Sequence, residues 1–286
     1  MEALSGIENA PIETMQTVES GDEEKYAKEG KILIDIGGGR FDHHNKIPKT
    51  TASKLVADFL GVSENPALAK LLEYAQRDDF FGRGTVSSDP LDRAFGLSSL
   101  VAVLNKEYPK DPNKVLSLIL PILKAHVNEE ERRTSELPKE FAEKKASGGV
   151  IEFEVRQRDK KLKVVMIKSN NPSLAGYLRS GIGGKYDVVL QSAETGHTNI
   201  LTRPAKHIDL RPLAAVIRMK EAEKRLIDLP ETPYIEFTRT GRHPKIKEWY
   251  YDRATNSIQN GGLNPQEVEP TKITWEEFKN LLCEGL

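Results

Sequence analysis

The pattern of hydrophobic residues predicts two strands near the start of the chain. The segment 12–18 alternates apolar with polar side chains, which is typical of a half-buried strand. The segment 31–36 is almost continuously apolar, as in a fully buried strand, and Asp35 is its one carboxylate. A charged connection, 19–30, separates the two. We therefore predict two strands at the edge of a doubly wound sheet.

Helical spacing of apolar residues predicts several helices in the first half of the chain. The segment 53–60 has one apolar face, and hydroxyl side chains before it can cap its first turn. The segment 66–76 places leucines along one stripe and then leads into Asp78 and Asp79. Further helices are predicted over 113–133, with a kink at Pro121, and over the charged segment 137–146.

The hydrophobic pattern changes at the Ser-Gly-Gly segment 147–149, which is the best candidate for a domain boundary. Beyond it the pattern predicts a hairpin over 150–168, strands over 186–191 and 198–202, helices over 173–179 and 209–226, and a final helix that begins with the capping box of Thr274 and Glu277. We expect an α/β protein of two domains. Residues 1–147 form a doubly wound, mostly parallel sheet with helical additions, and 150–286 form a smaller α/β domain across a cleft.

Composition restricts the functional classes. The chain has 286 residues, 38% of them hydrophobic and 30% charged, and its 42 basic and 43 acidic residues leave a net charge of −1. This balance gives no global attraction to nucleic acid or to an anionic membrane. No stretch approaches the roughly 18 apolar residues that a membrane span needs. The single cysteine, Cys283, fits a reducing compartment, so we expect a cytoplasmic protein with no membrane partner.

The strongest chemical signal follows the predicted strand at 31–36. Asp35 is followed by three glycines, 37–39, which allow a sharp turn, and then by Asp42, His43 and His44. Imidazoles beside carboxylates offer the mixed nitrogen and oxygen ligands that bind Mn, Zn or Fe. An isolated His-His pair is more often a solvated loop, but the buried aspartate and the glycines make this combination unusual. We therefore expect a metal site.

This block, with its Asp-x-Gly-Gly and Phe-Asp-His-His segments, resembles the DHH phosphoesterase superfamily, named for its Asp-His-His motif. The resemblance implies hydrolysis of a phosphoester bond in a nucleotide, a short oligonucleotide or another small phosphate ester. It implies two divalent ions, usually Mn, with Zn, Fe or Mg as alternatives. Asp35 would bridge the metals and His43 would be a direct ligand. Asp42 would orient His43, and His44 would face the phosphate.

The resemblance extends to other residues. An aspartate at the end of a helix should complete the metal site, and Asp78 matches that position best, with Asp79 as the second choice. Arg40 and Ser53 could contact the substrate phosphate, although capping explains the serine equally well. The resemblance of the second half is weaker and implies a substrate-binding domain, whose contacts would come from Gly183, Gly184, Gly196, His197 and Arg203.

One expected motif is missing. Members of the superfamily carry an earlier strand and turn with His and Asp ligands, whereas no histidine precedes His43 in this chain. We therefore expect either a natural start further upstream or a partial metal site. The alternative function is a catalytically incomplete relative that binds nucleotide or RNA in the cleft.

Two features stay open. The oligomeric state is not determined, with a homodimer as one option. The basic stretch 239–247 is either a nucleic-acid contact or a hairpin with an exposed turn.

Overall fold

The computed structural model describes residues 11–13, 22–44, 46–261 and 267–286. The chain divides into two compact units, Met1–Thr134 and Ser135–Leu286. This division lies before the boundary that the sequence suggested at 147–149, because Leu137 packs in the core of the second unit. Most of the strand predicted over 12–18 lies outside the described residues.

The first unit is helical in its described part. Its helices are α1 (Glu23–Lys28), α2 (Ala52–Phe59), α3 (Ala69–Phe81), α4 (Pro90–Ala94), α5 (Leu97–Glu107) and α6 (Pro112–Glu131). The helices predicted over 53–60 and 113–133 are confirmed as α2 and α6, and α6 continues through Pro121. Helix α3 is longer than the segment 66–76, so Asp78 and Asp79 lie inside its last turns instead of after its end.

The predicted buried strand at 31–36 is wrong. Only Leu33 is buried there, whereas Ile32 and Ile34 are 41% and 51% exposed. The single pairing is an isolated parallel bridge between Ile34 and Phe41. An extended run cannot continue because Asp35 takes a left-handed backbone conformation, with φ of 64°. The apolar run 31–36 therefore does not form a buried strand.

The second unit contains the sheet. A π-helical segment, Arg132–Glu136, leads into α7 (Leu137–Ala146). The strands are β1 (Val150–Gln157), β2 (Lys160–Lys168), β3 (Val188–Ser192), β4 (Thr198–Thr202), β5 (Gly241–Arg242), β6 (Tyr250–Asp252) and β7 (Ser257–Gln259). The helices among them are α8 (Leu174–Arg179), a 3₁₀ turn (Pro204–Lys206), α9 (Arg211–Arg225), α10 (Tyr234–Phe237) and α11 (Trp275–Gly285). The predicted hairpin, strands, helices and capping box of this half are confirmed.

The sheet is mixed and mostly antiparallel. Its strands lie in the order β1-β2-β3-β4-β7-β6-β5, and only β2 and β3 run parallel. The mixed α/β class is therefore correct, but the predicted doubly wound, mostly parallel sheet is not confirmed. The connections explain the antiparallel pairs of the observed sheet, because two residues join β1 to β2 and five join β3 to β4. Turns this short can join only antiparallel neighbours.

Helices cover both faces of this sheet. Along β2, Val164 and Met166 pack in one cluster with helices α9 and α11, while Val165 and Ile167 pack in a second cluster with α7 and α8. Successive side chains of a strand point to opposite faces, so four consecutive residues of β2 can all be buried. The central strands are held on two sides.

The basic stretch 239–247 lies in the β5–β6 hairpin, as one interpretation expected. Its aromatic neighbour Trp249 is fully buried, and the indole Nε1 donates to the carboxylate of Glu221 at 2.9 Å. Trp249 therefore cannot stack on bases, which weakens the interpretation as a nucleic-acid contact. Within the described ranges, no helix combines the length and the apolar character of a membrane span.

Candidate metal centre

The loop 35–44 brings the predicted metal residues together. Asp35, Gly37 and Gly38 have positive φ angles of 64°, 82° and 71°. Glycine adopts this left-handed conformation without steric cost, and aspartate tolerates it better than most residues. The backbone N–H of Asp35 donates to the carbonyl oxygen of Phe41 at 3.1 Å. The chain therefore curls back, and Asp35 meets the Asp-His-His segment.

The buried carboxylate of Asp42 accepts hydrogen bonds from the backbone of this loop. Its Oδ2 accepts the backbone N–H of Gly38 at 2.7 Å, and its Oδ1 accepts the backbone N–H of His44 at 3.0 Å. Burial opposes ionisation of this carboxyl, but the hydrogen bonds from His44 and Gly38 outweigh it and lower the Asp42 pKa to about 2. Both oxygens of Asp42 are therefore engaged with Gly38 and His44, and not with His43, the neighbour that it was expected to orient.

Asp42 also fixes the ring of His44. The Nδ1 atom of His44 lies 2.7 Å from Oδ1 of Asp42. This hydrogen bond raises the pKa of His44, because the carboxylate favours the charged ring. With Nδ1 held in this way, Nε2 is the ring nitrogen left for a ligand. Since the His44 side chain is exposed, it can meet a substrate from solvent.

His43 is the least satisfied group of the cluster. Its side chain is only 10% exposed, and its Nδ1 lies 2.6 Å from Oδ1 of Asp35. That oxygen lies outside the direction of a hydrogen bond, so Nδ1 has no hydrogen-bond partner in the described part of the chain. Two electron-rich atoms at this distance repel each other unless a positive charge lies close to both. A protonated ring would supply the charge but would still misdirect its N–H.

The second nitrogen of His43 has a carboxylate partner of its own. Its Nε2 lies 3.1 Å from Oδ2 of Asp79, a residue in the last turns of α3. With the ring hydrogen on Nε2 and donated to Asp79, Nδ1 presents a lone pair towards Asp35. Metal-ligating histidines are commonly oriented by such a carboxylate on the other nitrogen. Asp79, not the preferred Asp78, makes the ion pair with His43.

The donor set fits a divalent metal ion. Asp35, Asp42, His43 and His44 each offer a ligand atom, and these atoms lie within 4.8 Å of one another. The buried, unpartnered Nδ1 of His43 is the strongest sign of a fit, because a ligand lone pair needs such an opening. Carboxylate and imidazole together suit Mn, Zn or Fe and do not select one of them.

The two predicted phosphate contacts of this unit have other roles. The guanidinium of Arg40 lies 4.9 Å from the ring centroid of Phe59, and its backbone N–H donates to Glu23 at 3.1 Å. The hydroxyl of Ser53 lies 3.2 Å from that of Thr51, and Thr51 caps α2 by accepting the N–H of the third helical residue. No described contact joins Arg40 or Ser53 to the metal cluster, and their expected contact with a phosphate stays a prediction.

His197 and the glycines of the second unit are structural. Both ring nitrogens of buried His197 are engaged, with Nδ1 3.0 Å from the Thr195 hydroxyl and Nε2 2.9 Å from the Val268 carbonyl oxygen. A Cβ on Gly183 would lie 2.0 Å from a backbone oxygen of α8, so glycine is required there by packing. Gly184 and Gly196 have positive φ angles in turns.

Arg203 lies at the other end of the same strands. It pairs with the buried carboxylate of Asp187 at 2.7 Å. Gly196 and His197 precede β4, whereas Arg203 follows it, and four residue steps of a strand span about 13 Å. The structure therefore places Arg203 and His197 at opposite ends of β4, and their expected role in substrate binding stays a prediction.

Comparison of the chain with protein-family models, with curated proteins and with solved structures finds no match. The resemblance to the DHH phosphoesterases therefore rests on the residues quoted above. Sequence reasoning also missed a group of residues in the second unit, Lys144, Lys168 and Trp275, which line one cavity. They come from separate elements, and nothing in their spacing along the chain joins them.

Proposed function

We propose that this protein is a divalent-metal-dependent phosphoesterase. The observation that supports this most is the buried Nδ1 of His43, which lies 2.6 Å from a carboxylate oxygen of Asp35 without a hydrogen bond. A cation shared by these two atoms would remove their repulsion. The Asp-His-His resemblance supplies the reaction class, since the same residue types in that family serve phosphoester hydrolysis.

In this proposal the residues of the loop have distinct tasks. Asp35 and His43 hold the ion, and Asp79 fixes the ring of His43 through Nε2. A bound Mn, Zn, Fe or Mg ion would lower the pKa of a water molecule to about 7 and polarise a phosphoryl oxygen. Asp42 holds the ring of His44 through Nδ1, which leaves the exposed Nε2 of His44 to donate to the phosphate.

The proposed substrate is a nucleotide, a short oligonucleotide or another small phosphate ester. A net charge of −1 favours a small or short substrate held at one local site over a long polyanion held by a basic surface. The proposal also implies a DHH-type parallel sheet in the first unit, to which the bridge between Ile34 and Phe41 would belong. Exposed Cys283 fits the reducing cytoplasm, which we propose as the compartment.

Hydrolysis of bis(p-nitrophenyl) phosphate and of a dinucleotide by the Mn-loaded chain tests this function. We expect turnover by the parent protein, loss of turnover in His43→Ala, and no change in His126→Ala, which alters an exposed histidine of the same unit. A chain that holds Mn and hydrolyses none of these esters would contradict the enzyme. Nucleotide binding without turnover would then favour the alternative of a catalytically incomplete binding protein.

A further inference from the structure

A cavity of about 450 Å³ lies within the second unit, apart from the residues of the metal cluster. It is lined by the end of α7 and the turn 147–149, by Lys168 and Ser192 at the ends of β2 and β3, and by Trp275 in the first turn of α11. This volume lies within the range of about 300–1,000 Å³ that small-molecule sites occupy. The cavity is therefore large enough for a metabolite.

Two lysines give the cavity positive charge without a partner. Neither Lys144 nor Lys168 forms an ion pair within the described residues, although Lys145 pairs with Glu152 and Lys161 pairs with Glu154 at 2.6 Å. The ammonium of Lys168 lies 5.0 Å from the ring centroid of Trp275. The cavity thus presents two cations, one of them beside an aromatic face, against the single carboxylate of Glu194, so its lining has an excess of one positive charge.

The turn 147–149 forms hydrogen bonds to carbonyl groups at the carboxyl end of α7, which would otherwise repel an anion. A helix carboxyl end carries unpaired carbonyl groups and partial negative charge. Here Gly149 N–H donates to the Lys144 carbonyl at 2.8 Å, and Gly148 N–H donates to the Lys145 carbonyl at 3.2 Å. Gly148 has a φ of 78°, so this is a Schellman cap, which satisfies the carbonyls of Lys144 and Lys145. Two of the four terminal carbonyls are thereby engaged, which reduces their opposition to an anion.

We propose that this cavity binds one nucleotide unit, with its base against Trp275 and its phosphate between Lys144 and Lys168. The Ser192 hydroxyl, which also lines the cavity, can donate or accept a hydrogen bond, and the Glu194 carboxylate can accept one from a sugar hydroxyl or a base amino group. An aliphatic phosphate would use the lysines but leave the indole without a role. The proposal needs no metal ion, so it stands apart from the phosphoesterase function.

The tryptophans provide a direct probe. The chain has two, and Trp249 is fully buried, so Trp275 is the one that a ligand can reach. We expect AMP, added to the full chain with a chelator present, to quench the emission saturably. In Trp275→Phe the remaining emission should not respond. A short 5′-phosphorylated oligoadenylate separates the two sources of the ligand, since tighter binding than AMP means a strand end and weaker binding means a free nucleotide.

Charge variants give the second measurement, by calorimetry. A charge-assisted hydrogen bond is lost in Lys144→Ala, so AMP should bind about tenfold more weakly or worse. Lys145→Ala alters the next residue, which is outside the cavity, and should bind AMP like the parent. The proposal is overturned if neither AMP nor the oligonucleotide binds. It is equally overturned if ribose 5-phosphate binds as tightly as AMP, or if the two lysine variants behave alike.

Discussion

Replacing Asp79 by Asn tests the assignment of the two adjacent acids of α3. The Asp79 carboxylate lies 3.1 Å from Nε2 of His43. In the proposed site it accepts the ring hydrogen there and leaves Nδ1 for the metal ion. Asparagine has nearly the same shape, so the change removes charge and leaves the packing. Loss of such a carboxylate behind a ligating histidine costs about 10–100-fold in metal affinity. We expect Asp79→Asn to weaken Mn binding by that factor.

The matched control is Asp78→Asn, one residue earlier on the same helix. Neighbouring residues of a helix point about 100° apart, so both cannot face His43 in the same way. Competition between the protein and a fluorescent chelator for Mn measures both affinities under identical conditions. Equal affinities in the two variants, or a larger loss in Asp78→Asn, would refute the reasoning. Circular dichroism of both variants confirms that α3 is intact.

Two further predictions concern the second unit. The ion pair with Lys224 lowers the Glu277 pKa from 4.5 to about 2, so the ionised carboxylate stabilises the fold above pH 4.5, and that contribution is lost as the pH falls towards 2. In urea unfolding at a series of pH values, the stability of the parent relative to Glu277→Gln should fall over this interval, and a constant difference between the two would contradict the assignment. Leu137 is 1% exposed, and Leu137→Ala should cost about 2–5 kcal/mol in unfolding free energy followed by tryptophan emission. Leu226, which is 92% exposed, should cost under about 0.5 kcal/mol when changed to Ala, and equal losses would show that the contact with the sheet is not stabilising.

The elements of the second unit were predictable because their signals are local. The alternation in β1 and β2, the two-residue turn between them and the capping box of Thr274 and Glu277 each lie within a few residues. Sheet order is not local, since β4 pairs with β7, a strand more than fifty residues later. The doubly wound sheet expected for residues 1–147 is not confirmed, because the apolar run 31–36 that suggested one of its strands forms only an isolated bridge.

In the candidate site, too, the local features were predictable from the sequence and the long-range contacts were not. The Asp-His-His segment and Asp35 are close in the sequence, and the loop that joins them was expected from the glycines. The choice between Asp78 and Asp79 depends on how α3 is rotated about its axis, which the sequence does not specify to within one residue. His197 was misleading because a glycine before a histidine is as common in a turn, and here both ring nitrogens serve the turn and the segment that follows β7.

The most direct test of the central claim is the metal itself. Elemental analysis after Mn loading and desalting should find bound Mn in the parent chain and in His126→Ala, and should find none in His43→Ala. Electron spin-echo spectroscopy of the loaded parent should show coupling of Mn to a histidine nitrogen, and this coupling should vanish with His43. A parent chain that retains no Mn, or one whose Mn content does not change when His43 is removed, would contradict the account.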